Sequence, residues 1–373
     1  MKRIALYLLA AAALLVGCNE KNIDTPSVDT EDAWMYDETL PVPIRFSADN
    51  GSLTKGAINS VTDMVGKTFG FYAINSGIDP EGGDWSIKTD IQMPQGAMAT
   101  CEEIGDGKVR FNFVEGPYYY GQTDWTPYTF YGYYAHIDDI NAPDYSEDQV
   151  ENLTSDYIYV FLNIGHTDIL WGKAAPEAPG YVTTSKGSTA YGFNAPYLRN
   201  GGKQPFMTFK HVTACVEITA QVEASQQVGA DPINMSVAEF KVLDVPVKDV
   251  LFIAHKDEAK EGTFANQARV VKDALYMTGI DTEKYLTNSP ESLGDPLFLA
   301  PMAGPVNTAL KYMVNGKEFN TSIVLNPEGG FVAGYRYRYN FKIAAPEQII
   351  IEATVEEYKD AWLDSENIDV DKE

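Results

Sequence analysis

The chain has 373 residues, with 28 Lys+Arg against 53 Asp+Glu and a formal net charge of −25. So negative a surface repels phosphate backbones and anionic headgroups, which excludes nucleic acid as a partner and leaves membrane attachment to some other device. With 45% hydrophobic and 12% aromatic residues there is material for a large core, and the length points to two domains rather than one.

Lys2 and Arg3 precede an apolar run, Ile4–Val16, interrupted only by the hydroxyl of Tyr7 and closed by Leu15-Val16-Gly17-Cys18. The run is shorter than the roughly 20 apolar residues that a membrane-spanning helix needs, so residues 1–17 read as a signal peptide. Small residues just ahead of a cysteine suit a lipoprotein signal peptidase, which would leave Cys18 as the lipidated N-terminus. The plain alternative is a secretory signal with an incidental cysteine. Two or three acyl chains, at about 0.8 kcal/mol per buried CH₂, hold a soluble body firmly to a bilayer. Such an anchor implies a Gram-negative outer membrane. Residues 18–40 are acidic, contain Pro26 and lack periodicity, as a flexible spacer does.

The first strand signal is Pro43–Ala48, in which Ile44, Phe46 and Ala48 alternate with Arg45 and Ser47. Asp49-Asn50-Gly51-Ser52 then supplies turn chemistry, and Lys55-Gly56 follows. From Thr68 the pattern is β throughout. Phe69, Phe71 and Ala73 alternate with Gly70 and Tyr72, and Val109, Phe111 and Phe113 with Arg110 and Asn112. An aromatic block, Tyr118–Tyr134, follows; its second half suits a strand because large rings pack well on a pleated surface. Tyr157–Leu162 has strand composition, and the Pro/Gly/Ser/Asn-rich stretch 174–202 marks a boundary between domains 41–200 and 201–373.

In the second half Val212, Ala214, Val216, Ile218 and Ala220 form one face of a strand, and Thr213, Cys215, Glu217 and Thr219 the other. Glu239–Val247, Leu297–Met302 and Ser322–Leu325 are further strands, and Asp257–Gly279 suggests a short helix within loops. The clearest alternation is Tyr335, Tyr337, Tyr339, Phe341 and Ile343 against Arg336, Arg338, Asn340 and Lys342. After Pro346 it is answered by Ile349, Ile351, Ala353 and Val355 against Glu352, Thr354 and Glu356, a hairpin with one dry face. Many short strands, Gly/Pro turns and little helical periodicity predict an all-β protein of two consecutive antiparallel β-sandwiches.

Catalytic and metal signatures are missing. The four histidines, His136, His166, His211 and His255, have no paired spacing, and no nucleophile elbow, P-loop or dinucleotide fingerprint occurs. Cys101 and Cys215 lack metal-site spacing, and spacing leaves open whether they pair. The expectation is a protein that is not an enzyme, with no cofactor and no metal. His211 reads as structural. The aromatic block has two readings, a sandwich core or a sugar-stacking platform, with Trp85 and Trp125 its most exposed candidates.

Several stretches, taken in order, resemble the fimbrillin family, lipoprotein subunits and accessory proteins of protease-matured pili. They are the cysteine motif at Cys18, Ile44-Arg-Phe-Ser-Ala leading to Thr54-Lys55-Gly-Ala, Thr68-Phe-Gly-Phe-Tyr-Ala and Trp125-Thr-Pro-Tyr-Thr-Phe-Tyr-Gly-Tyr-Tyr. Asp168-Ile-Leu-Trp-Gly-Lys, Phe206–Thr219 and Gly334-Tyr-Arg-Tyr-Arg-Tyr running on to Trp362 continue the series. The resemblance implies tandem transthyretin-like β-sandwiches and a pilus stalk, tip or anchor role in adhesion, with other pilus subunits as partners. It also implies donor-strand assembly: a protease cuts after a basic residue beyond the first strand, that strand leaves, and a strand from the next subunit fills the groove. Lys55 matches the cut, although it is a lysine rather than an arginine, and Arg45 is the alternative within the strand. Ile44, Phe46 and Ala48 would be the removable strand, and Ile349, Ile351, Ala353 and Val355 the donor. A glycan-binding surface lipoprotein of a polysaccharide-uptake system, using Trp85 and Trp125, is the competing expectation.

Overall fold

In a computed structural model of the chain, the described residues are 30–49, 60–75, 91–121, 126–140, 157–174, 181–183, 189–223, 234–265, 270–345 and 348–357. The chain divides into two units, Met1–Leu40 and Pro41–Glu373. The described part of the first contains a single 3-10 turn, Thr30–Met35. Among the described residues no helix is long and apolar enough to cross a membrane.

The second unit is all-β. It begins with β1 (Phe46–Asp49), β2 (Thr68–Asn75), β3 (Ala97–Gly105), β4 (Lys108–Phe113) and β5 (Tyr128–Tyr134). β6 (Tyr157–Asn163), β7 (Leu170–Ala174), the small pair β8 (Tyr181–Thr183) and β9 (Thr189–Tyr191), and β10 (Thr208–His211) follow. Next come β11 (Ala214–Val222), the 21-residue β12 (Met235–His255), β13 (Val271–Tyr276), β14 (Glu291–Ser292) and β15 (Leu297–Leu299). β16 (Val306–Val314), β17 (Lys317–Leu325), β18 (Tyr335–Ala345) and β19 (Gln348–Glu357) complete the order.

The first sheet has seven strands in the order β1-β4-β3-β2-β5-β7-β10. Alternation puts Phe46, Phe69, Phe71, Phe111, Phe130 and Phe209 on one face, all buried. Phe111 of β4 and Phe209 of β10 lie only 5.8 Å apart between ring centroids although four strands separate them in the sheet order. The sheet therefore curls around an aromatic interior. Its opposite face is wet at β3 and β4, where Glu102 and Arg110 are exposed, but covered at β5 and β7: Tyr131, Tyr133 and Trp171 pack against Ile158 and Leu162 of β6 and Leu251 and Ile253 of β12. All of β5 is buried for that reason, a strand covered on both faces.

The remaining strands make a sandwich. One sheet runs β14-β11-β18-β19 with β15 also on β11, the other β13-β12-β16-β17 with β6 also on β12. Val216, Ile218, Tyr339, Phe341 and Ile343 of the first meet Val237, Phe240, Leu310 and Tyr312 of the second. β12 serves both cores, its first half pairing with β16 and its last with β6. The expected boundary near residue 200 is crossed by two pairings, β6 with β12 and β10 with β7.

Two details differ from expectation, and two more settle what the sequence leaves open. Between named strands the pairing is antiparallel except for β11 with β18, because the chain passes through the opposite sheet between them and returns in the same direction. The helix expected within Asp257–Gly279 is a 3-10 turn, Glu258–Lys260, followed by β13. β3 and β16 form hairpins with β4 and β17 around Asp106-Gly107 and Asn315-Gly316, whose positive φ values (52° and 68°, 49° and 80°) are those of a tight two-residue turn. Cys101 and Cys215 are buried thiols rather than a disulfide, and burial pushes the Cys101 thiol up to about 12, so it stays protonated and unreactive.

Candidate functional site

β1 is tied down on both flanks. On one it runs antiparallel to β4, Phe46 opposite Phe111 and Ala48 opposite Val109. Just upstream, Ile44 N–H donates to the Tyr118 carbonyl at 2.9 Å, and Tyr120 N–H to that of Val42 at 3.0 Å. On the other flank a parallel bridge joins Ser47 to Phe206. Here Ser47 N–H donates to the Pro205 carbonyl at 3.3 Å and Met207 N–H to the Ser47 carbonyl at 2.7 Å. The Gln204 side-chain amide reaches the Pro43 carbonyl at 3.2 Å.

Inside, Phe46 is 1% exposed. It stacks on Phe71 at 4.5 Å and meets Phe113 and Phe130 edge-on at 5.6 and 5.0 Å. Val42, Ile44 and Ala48 are buried too. Burying a side chain of this size contributes roughly 1.5–3 kcal/mol, and edge-on ring pairs add to it. Arg45 is half-buried on the outward side.

β19 is the opposite kind of strand. Among the described residues it ends its sheet and pairs with β18 alone. The register sets Ile351 opposite Phe341, Ala353 opposite Tyr339 and Val355 opposite Tyr337, and directly opposed residues share a face. The β18 residues are buried, yet Ile351 is 38% and Val355 51% exposed. The dry face continues onto β19, where the core beneath reaches Ile349 but leaves Ile351 and Val355 exposed. On the polar face Lys342 and Asn340 donate to the Glu352 carboxylate, which holds it below the usual range. One strand over, Glu217 lies 3.2 Å from Arg336 and 2.8 Å from Arg338.

A buried polar cluster joins stretches that the sequence shows only as separate motifs. Asp168, just before β7, lies 2.7 Å from Nδ1 of His211 at the end of β10, and Thr213 Oγ1 donates to it at 3.3 Å. Trp171 Nε1 donates to the Ile253 carbonyl at 2.7 Å, and the Lys210 ammonium sits 4.6 Å from the Trp171 ring centroid. Glu261, also buried, accepts from the Tyr131 hydroxyl at 2.7 Å and from Lys173 at 2.9 Å. Burial pushes the Tyr131 hydroxyl upward, and the Glu261 carboxylate pushes it further. The turn at Gly262 (φ +63°) leaves no room for a side chain, since a Cβ would come within 2.5 Å of Trp171. Asp168, His211, Trp171, Tyr131 and Glu261 are buried, while Lys173 is partly solvated and Lys210 exposed. The cluster fastens the first sheet to β12 and supplies no open site for chemistry.

Cys18, Lys55, Trp85 and Trp125 fall outside the described residues. Within the aromatic block Tyr120, Tyr128, Phe130, Tyr131, Tyr133 and Tyr134 are buried, so they fill cores and present no face to a sugar. Among the described residues no group of three or more His, Cys, Asp or Glu could hold a metal ion. The flank that Pro205–Met207 lends to β1 carries no sequence signal, because the two segments are far apart in the chain and the contact is made by backbone.

A search of curated proteins by sequence finds no match. Among solved structures, the chain is similar to a candidate cell adhesion protein from Bacteroides uniformis (15% identity, 85% of this chain and 98% of the other covered, TM-score 0.49). It is similar also to two Porphyromonas gingivalis proteins. One is the fimbrial anchor protein Mfa2 (15% identity, 85% and 97% covered, TM-score 0.36). The other is the tip fimbrial protein Mfa3 (10% identity, 85% and 100% covered, TM-score 0.37). The model of the fimbrillin-like family matches residues 92–357, from ahead of β3 to the last residue of β19, and the chain belongs to that family.

Proposed function

We propose that the chain is a cell-surface component of a pilus, a stalk, tip or anchor subunit serving adhesion, lipid-anchored to the outer membrane through Cys18. Its role is structural rather than catalytic, and its partners are other pilus subunits. The finer architecture in this reading is a pair of tandem transthyretin-like sandwiches dividing near residue 200. The observation that carries the proposal is β19. In a chain of the fimbrillin-like family, the last described strand ends a sheet and presents Ile351 and Val355 uncovered on the side where a core belongs. Such a strand serves β-augmentation well, with backbone groups supplying affinity and alternate side chains filling a neighbour's pockets. Left uncovered it invites aggregation.

In this reading the strand given up is that of Ile44, Phe46 and Ala48, after a cut at Lys55. Trypsin treatment of the purified chain should then yield a new N-terminus at Gly56 and, with time, oligomers that survive SDS. Immunolabelling should place the protein on surface fibres, and Cys18→Ala should remove it from membranes. A chain cut cleanly at Lys55 that stays monomeric contradicts the polymerising form and leaves an anchor or a standalone adhesin. A chain never found on fibres contradicts the pilus assignment altogether.

A further inference from the structure

A cut beyond the first strand is usually pictured as setting that strand free. The geometry around β1 points elsewhere. The sheet that begins at β1 curls until the approach to β10 lies along β1's far side. Residues 204–207 then act as a strap: Met207 N–H and the Pro205 carbonyl bind the β1 backbone at Ser47, at 2.7 and 3.3 Å, and the Gln204 side-chain amide binds Pro43 just upstream, at 3.2 Å. The strap is itself anchored. Met207 is fully buried against Gly132 of β5, where an added Cβ would lie 3.1 Å from its Cε. From the next residue, Thr208, β10 pairs with β7, and its His211 meets Asp168. The strap cannot swing away without disturbing the buried cluster.

We infer that β1 is a captured strand: a break in the chain between Asp49 and Ser60 leaves it seated between β4 and residues 204–207, and it departs only when the strap opens or another strand displaces it. Four consecutive inward positions (Val42, Ile44, Phe46, Ala48) are buried, and both flanks are hydrogen-bonded. The nicked strand therefore has no open edge from which to peel. The strap also fixes polarity. A replacement must run antiparallel to β4 and parallel to 205–207, as β1 does. The consequence for assembly rests on the function proposed above. Because β1 joins the body to everything N-terminal of it, a cut would not shed the body from its anchor. Shedding and subunit joining become one displacement event.

The test uses the full chain with residues 51–54 replaced by a specific protease site and a fluorescent label N-terminal to Pro41. After complete cleavage, the labelled fragment should co-elute with the body in gel filtration for hours. Met207→Pro, which deletes the strap's N–H donor, should speed its loss at least tenfold. Should that variant fold poorly, amide exchange in the otherwise unmutated nicked protein reads the same contacts: the Ser47 and Met207 amides should stay protected after the cut. Immediate loss of the fragment, or loss of protection at both amides, overturns the inference. Equal release rates with and without Met207→Pro overturn the strap. If the fragment is held but no pilus subunit ever displaces it, capture stands and the assembly role proposed for β1 falls.

Discussion

β1 and β19 carry the same kind of sequence, an apolar residue at every second position with polar residues between. In the folded chain they are opposites. Phe46 is 1% exposed and ringed by Phe71, Phe113 and Phe130, whereas Ile351 is 38% exposed although Phe341 beside it is buried. Alternation states which side of a strand is dry; it does not state whether anything lies beneath that side. For β1 the layer beneath is the curled interior of its own sheet, and its outer flank is closed by residues 204–207. For β19 the core beneath reaches Ile349 and leaves Ile351 and Val355 exposed. One strand is built in and the other is offered.

The largest expected effect tests the built-in half of that contrast. Phe46→Ala should cost about 3–5 kcal/mol in urea unfolding, as large-to-small changes at packed aromatic sites do. A loss under about 1 kcal/mol would mean that β1 is not part of the core. Next is a site in direct contact with neither strand. Glu261→Ala strands the Tyr131 hydroxyl and the Lys173 ammonium, and should cost about 2 kcal/mol, below the usual figure for breaking a buried pair because Lys173 is partly solvated. The same variant should leave β19 unchanged by amide exchange, and a change there would show the two regions to be coupled.

A smaller effect belongs to the offered strand. Ile351→Ala with Val355→Ala should shift stability by no more than about 1 kcal/mol, since both side chains are already exposed, while weakening association with other subunits. A large loss of monomer stability would place β19 in the core after all. The smallest effect is on pH. Lys342 and Asn340 hold the Glu352 carboxylate below its usual range, so its bond across β18 and β19 is fully present above the ordinary carboxylate pKa. That bond is lost as pH falls through the lowered one. Amide exchange in β19, corrected for its intrinsic pH dependence, should rise in that acid window while β1 stays protected. Equal responses would break the contrast.

How much of this was legible beforehand follows the same physics. The hairpin of β18 and β19 was clear because its alternation is long and its faces chemically distinct. β16 is not among the strands read from the sequence, although Val306, Thr308, Leu310, Tyr312 and Val314 alternate and Asn315-Gly316 marks the turn. β3 hides among small residues, where Ala97, Ala99 and Cys101 face inward but give little hydrophobic contrast. β13, the sequence Val-Lys-Asp-Ala-Leu-Tyr, is too polar to announce itself because it lies at a sheet edge. The meeting of Asp168 with His211, and of Tyr131 and Lys173 with Glu261, needs the tertiary fold. So does the strap on β1, whose contacts are mostly backbone and specify no residue type.

The central claim is that this chain joins a pilus through the strand it leaves uncovered. A photo-reactive residue in place of Ile351, introduced in cells assembling their fibres, tests that most directly. The account predicts adducts between this chain and another pilus subunit, with the same probe at Phe46 yielding adducts only within the chain. Absence of any intersubunit adduct at Ile351, in fibres that contain the protein, would contradict it.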